Sequence, residues 1–262
     1  MRILIVVTAA LLAIPSLAFA AAWTQEQGHG QVIATAAKSR ADREFDGSRK
    51  TSPRPRYDKL DMQALTEFGV TDRFTLMLAP GVQHIKIGPS GSPRRATPVY
   101  GELGARYRLA QGRNWVVSGQ ALVHWTGNSD THSDNPVDIT GTEVDLRALF
   151  GYTFAVLKRP AFLDVQVSHR FRSNGSPNEV HADVTLGVAP HRKWLIMGQL
   201  FNVMSEGAGK PGFPSYDYLK VQPSIVYKFG ERWAAQAGAF TTYTGRHSIQ
   251  ENGIVLGLWY WF

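Results

Sequence analysis

The last positions of the chain admit few folds. Ile254, Leu256, Leu258, Tyr260 and Phe262 occupy every second place, with Gly253, Val255, Gly257, Trp259 and Trp261 between them. Successive side chains of a strand point to opposite faces. One face here is wholly apolar and ends in aromatics. A strand with one face in lipid and the other in a lumen reads this way. A buried terminal strand of a soluble sandwich shows the same alternation, so the remaining strands decide.

Runs of 10 or more residues with period-2 alternation recur along the chain. They cover roughly 30–42, 56–69, 73–86, 97–109, 114–126, 139–154, 161–172, 178–189, 193–204, 216–229, 233–244 and 250–262. The connections fall into two sets. Tight ones lie at Val70-Thr71-Asp72, Ala110–Arg113, Leu157–Pro160, Pro190–Arg192 and Gly230–Arg232. Longer ones, rich in Gly, Pro, Ser and Asn, run over 43–55, 87–96, 127–138, 173–177, 205–215 and 245–249. Short turns at one end and long loops at the other mark a transmembrane, antiparallel, up-and-down β-barrel of about twelve strands. The even count sends both termini to the short-turn side, expected to be the periplasm. A strand closing on a C-terminal Phe also resembles the terminal signal read by the barrel-assembly machinery of bacterial outer membranes, an expected partner during biogenesis.

The start of the chain fits export. Arg2 precedes an apolar run from Ile3 to Leu12, and Ala18-Phe19-Ala20 has the small-x-small form of a cleavage site. Residues 1–20 read as a secretory signal peptide, leaving 21–262 as the barrel. Trp23–Gln27 is too polar to continue a membrane helix. The chain has no cysteine, which rules out disulfides and thiolate metal sites. Its formal charge of +7 suits an anionic partner such as outer-membrane lipid and lipopolysaccharide, an acidic glycan or a small anionic solute. No nucleic-acid motif or basic tail accompanies that charge, so no nucleic-acid partner is expected.

Assigning faces puts one charged row on most strands. Glu143, Asp145 and Arg147 oppose Val144, Leu146 and Ala148, and Asp164, Gln166, Ser168, Arg170 and Arg172 oppose Leu163, Val165, Val167 and Phe171. Tyr100, Glu102, Arg106 and Arg108 share a row, as do Glu179, His181 and Asp183, and as do Lys59, Asp61, Gln63 and Glu67. A charge facing lipid costs a few kcal/mol near the midplane, so the charged rows belong to the lumen. Trp115, Trp125, Tyr152, Trp194, Tyr227 and Tyr260 sit near strand ends on the other face, as interfacial girdles do. Twelve strands stand between barrels filled by side chains and barrels that hold a water-filled channel. The inward charges are therefore either a neutralising network or a conduit for anionic or sugar-like solutes. The candidate lumen and solute contacts are Arg106, Arg108, Arg147, Arg170, Arg172, Tyr100, Glu102, Glu143, Asp145 and Asp183, with Trp259 and Trp261 as further inward aromatics.

Catalysis needs a nucleophile within reach of its base. Ser168 and His169 are adjacent on a strand and so face opposite ways. Ser173, Asn174 and the group His247, Ser248 and Asn252 complete the hydrolase candidates. His124 and His181 are both inward, but no metal-ligand spacing accompanies them. No enzyme activity, metal or cofactor is expected; a lipid-modifying hydrolase and a closed barrel acting through loops 43–55 and 127–138 are the alternatives.

Ala22-Trp23-Thr24-Gln25, followed by Gly28-His29-Gly30-Gln31-Val32-Ile33, resembles the opening of the XagA-like outer-membrane barrels. Glu67–Leu76, His169–Arg172 and Asp183–Gly187 are similar as well. The resemblance implies a Gram-negative outer-membrane protein associated with exopolysaccharide secretion and biofilm formation. It brings no catalytic residues.

Overall fold

The computed structural model describes residues 21–88, 94–128, 141–173, 175–208 and 214–262. The signal-peptide reading of 1–20, Asn174 and most of loop 127–138 lie outside the described residues. Twelve long strands follow in order: β1 Gly30–Phe45, β2 Thr51–Thr71, β3 Phe74–Ile87, β4 Pro98–Gln111, β5 Trp115–Asn128 and β6 Gly141–Val156. Then come β7 Arg159–Arg172, β8 Glu179–His191, β9 Trp194–Ser205, β10 Asp217–Lys228, β11 Trp233–Arg246 and β12 Asn252–Trp261. Two short pieces, Arg94–Ala96 and Ser248–Ile249, pair with β3 and β1. Every neighbouring pair of long strands is antiparallel, and β1 bonds both β2 and β12, so the sheet closes on itself. The protein is a closed antiparallel β-barrel. No described helix is long and apolar enough to cross a membrane.

Register confirms the faces read from alternation. Ile254, Leu256 and Leu258 point outward and are exposed, while Val255 and Trp259 point inward and are buried. The same holds around the wall: Leu76, Leu78, Leu103, Leu146, Val167, Leu186 and Ile196 are outside. A closed wall with this apolar exterior leaves no unpaired edge and satisfies its backbone internally, the condition for crossing lipid on strands. Near the short turns the aromatics meet in pairs across strands. Trp194 and Tyr227 have ring centroids 4.5 Å apart, as do Trp233 and Tyr260. Trp115 is the cross-strand partner of Tyr152, and Phe262 stacks 6.5 Å from Phe68.

One expected long loop is not a loop. The segment 43–55 continues the β1–β2 ladder: Arg43, Glu44 and Phe45 pair with Pro53, Ser52 and Thr51. Only Asp46–Lys50 turns, because the Asp46 carboxylate accepts from the amides of Ser48 and Lys50 and stands in for ladder bonds. The hairpin tip is tied down, with Arg49 bidentate to Asp217 at 2.6 and 3.0 Å.

Candidate functional site

The lumen falls into three levels. At the short-turn end, residues 27–29 bond to Gly69 of β2, and residues 21–26 before them run into the lumen. The Ala22 amide donates to Asp164 Oδ2 at 2.7 Å, and its carbonyl accepts from Ser118 Oγ at 2.6 Å. The Trp23 carbonyl accepts from Arg106 Nη1 at 2.9 Å. The Gln25 amide donates to Thr75 Oγ1 and its side chain to Glu67 Oε2, both at 2.8 Å. Ala22 is fully buried. The Trp23 ring lies over Gly151, where a Cβ would come within 2.3 Å of it. The remainder of this level is apolar. Phe162, Leu195, Met197, Val226, Ala234 and Trp259 form one cluster against which Trp23, Ile33 and Trp261 pack. Together the segment and the cluster obstruct the short-turn end.

The middle level is charged and paired. Arg106, 2% exposed, donates to Glu67 at 2.8 Å and to Gln120 at 3.1 Å. Arg147 contacts Asp145 at 3.2 Å, Asp183 at 3.0 Å and Gln166 at 2.6 Å. Asp145 also accepts from Ser168 at 2.9 Å. Buried ions keep their charge only with such partners.

The level toward the opposite end is more open. Arg172 donates to Glu143 at 2.7 Å, to Glu179 at 3.0 Å and to Tyr216 at 2.7 Å. Tyr216 in turn donates to Glu179, which also holds His181 at 2.8 Å. Arg170 sits 3.5 Å from both Glu143 and Asp145, longer than a good charged bond. Across the lumen, Glu251 is buried between Lys59, Lys220 and Ser39. Tyr100 donates to Asp61 at 2.7 Å, and Glu102 meets His124 at 3.2 Å.

The ten sequence candidates thus all lie on inward rows, but they form several groups. Arg147, Asp145, Asp183, Arg170, Glu143 and Arg172 are one connected network across β6, β7 and β8. Arg106 pairs with Glu67 where the middle level meets the N-terminal segment. Tyr100 and Glu102 have separate partners. Arg108 is half-buried and has no ion pair among the described residues. His124 and His181 bind different carboxylates and do not meet. Among the described residues no cluster of three metal ligands occurs. Of the hydrolase candidates, His169 bonds Glu206 at 2.9 Å and His247 bonds the Ser215 carbonyl at 2.9 Å. Ser168 faces inward to Asp145 and Ser173 Oγ accepts from the Thr142 amide.

Two features escaped the sequence reading. One is the inserted N-terminal segment, whose only trace is a Trp flanked by small residues and amides without alternation. The other is the apolar lumen of β9–β12, legible only once Leu195 and Met197 are given the inward register.

No protein-family model matches the chain, and no curated protein does. Solved structures do resemble it. An outer-membrane channel from Pseudomonas putida F1 superposes with a TM-score of 0.67 at 12% identity, covering 92% of this chain and 98% of that one. The translocator domain of the autotransporter NalP from Neisseria meningitidis gives 0.56 at 14% identity, covering 90% and 89%. The KdgM porin in complex with oligogalacturonate gives 0.50 at 10% identity, covering 88% and 98%. The fold is that of outer-membrane β-barrels.

Proposed function

We propose that this chain is a pore of a Gram-negative outer membrane, with both termini in the periplasm, passing anionic or polyhydroxylated solutes. Its lumen is narrowed by its own residues 21–25. One observation carries the reading: beside the wall's apolar cluster, the short-turn end is obstructed by a peptide segment held by hydrogen bonds. A segment held this way is removable, whereas side chains of the wall are not. Above it, Arg170 and Arg172 are partly exposed, and Arg170 has the looser contacts. They are the groups placed to meet a carboxylate or sulfate on a passing glycan. The KdgM porin with its oligogalacturonate supports a barrel of this shape taking such a solute. The XagA-like opening supports work beside an exopolysaccharide system in biofilm formation.

The test is planar-bilayer conductance of refolded protein with and without residues 21–25, using glycan blockade to probe the solute. A second reading, a closed barrel acting through its outer loops, is favoured by the paired charges of the middle level. It predicts silence from both proteins.

A further inference from the structure

The lipid-facing wall carries charges where its apolar band ends. On β1, β2, β3 and the short strand Arg94–Ala96, the register aligns Arg40, Asp58, Lys86 and Arg95 in one outward row. One row nearer the membrane lie Lys38, Leu60 and His84. Lys38, Lys86 and Arg95 are exposed and have no carboxylate partner among the described residues. Asp58 is already engaged by Arg56 at 2.6 Å and Arg40 at 3.3 Å. With Asp42 included, this sector holds five Lys or Arg against two acids. Other outward charges toward this end are matched, as in His169 with Glu206 and Asp217 with Arg49 and Arg246.

A second feature lies directly beneath. Ala34 and Ala36 on β1, Ala64 on β2 and Pro80 on β3 are small, while Leu256 and Leu258 on β12 are not. They line a groove of about 670 Å³ in the apolar wall. A smaller, more enclosed groove of about 450 Å³, whose lining includes Lys38, Asp58, His84, Lys86 and Arg95, lies above it. Lys38 and Lys86 stand two strands and one outward row apart, roughly 12 Å at ordinary sheet spacing. Unmatched cations at headgroup height above a groove for hydrocarbon are the two halves of an anionic lipid site.

We propose that this sector binds one phosphorylated glycolipid, the lipopolysaccharide of the outer leaflet. Its phosphates lie on Lys38, Lys86 and Arg95, and acyl chains lie in the groove below. The site rests on the outer-membrane orientation given above, with the short turns inward. Cations hold phosphate oxygens while water is thinned by the neighbouring chains, which strengthens each contact over its value in bulk water.

The test uses the full chain, folded in detergent, titrated with purified lipopolysaccharide. The same lipopolysaccharide stripped of its lipid A phosphates, phosphatidylglycerol vesicles and inorganic phosphate serve as the other probes. The expected result is binding of the phosphorylated form, weakened at least tenfold both by dephosphorylation and in the K38Q/K86Q/R95Q variant. Ala36→Phe, which fills the groove and keeps the charges, also weakens it. Heat-modifiable gel mobility confirms that each variant is folded. Affinity of the triple variant within twofold of wild type overturns the site. So does displacement by inorganic phosphate, which marks a free-anion site, or equal binding of phosphatidylglycerol, which marks a general anionic surface. Orientation is read separately in intact cells, since the chain has no cysteine of its own. Ser48→Cys reacts with a membrane-impermeant maleimide, and Lys158→Cys reacts only after lysis. The reverse pattern refutes the orientation without touching the detergent binding result.

Discussion

Arg106 and Trp23 show how single residues join stability to passage. Arg106 is buried with Glu67 and also holds the Trp23 carbonyl. Arg106→Met leaves Glu67 with only the amide donors of Gln25 and Gln31. The expected cost is about 3–5 kcal/mol, that of an uncompensated buried charge. It is read as a lower temperature for the heat-modifiable gel transition, and an unchanged transition contradicts the pairing. Arg170 differs, since its contacts are long and its side chain is a quarter exposed. Arg170→Gln is expected to leave that transition in place and to lower anion preference in reversal-potential measurements. The sequence placed both arginines inward. It could not say which was spent on the fold, because partners such as Glu67 and Trp23 lie 39 and 83 residues away.

Among the elements, strand positions were legible and their ends less so. Alternation survives wherever one face meets lipid, so β3 to β12 lie within a few residues of the expected runs. The β1–β2 hairpin rises beyond the apolar band, where charges such as Arg40 and Asp58 face outward. There the lipid no longer imposes alternation, and its ladder went unread. The turn between β6 and β7 was legible as a turn but not in type. Leu157 and Lys158 both have positive φ, 49° and 62°, the pattern of a type I′ turn that favours Asn-Gly. Leu157→Asn with Lys158→Gly is expected to stabilise the barrel by about 1 kcal/mol, read as a higher midpoint in urea unfolding. The N-terminal segment is the element that sequence hid most completely. It has no periodicity, and its partners Asp164, Ser118 and Thr75 look like ordinary lumen polar groups until something is placed against them. Gly151→Ala is expected to unseat Trp23, since the added methyl occupies the ring's place. Conductance then rises while the fold persists.

Seen whole, the barrel has an amphiphilic lumen. The wall from β2 to β8 carries the charged ladders, and the inner face of β9 to β12 is largely apolar and aromatic near the short turns. A polar conduit that ran straight through would present charges all round. This one is charged in its middle and narrowed below by apolar packing, with the N-terminal segment filling the space between the two regimes. The outer surface is divided as well, with unmatched cations gathered on β1 to β3. The alternating rows and the alternation of short turns with long loops led to the barrel. Its lumen required the register.

The central claim is that residues 21–25 obstruct an otherwise conducting barrel. The direct measurement is single-channel conductance in a planar bilayer, with a salt gradient, of the refolded chain 21–262 and of the same chain lacking residues 21–25. The account predicts small steps from the first, and steps several-fold larger and anion-favouring from the second. Equal conductance, or silence from both proteins with folding verified by gel mobility, contradicts it.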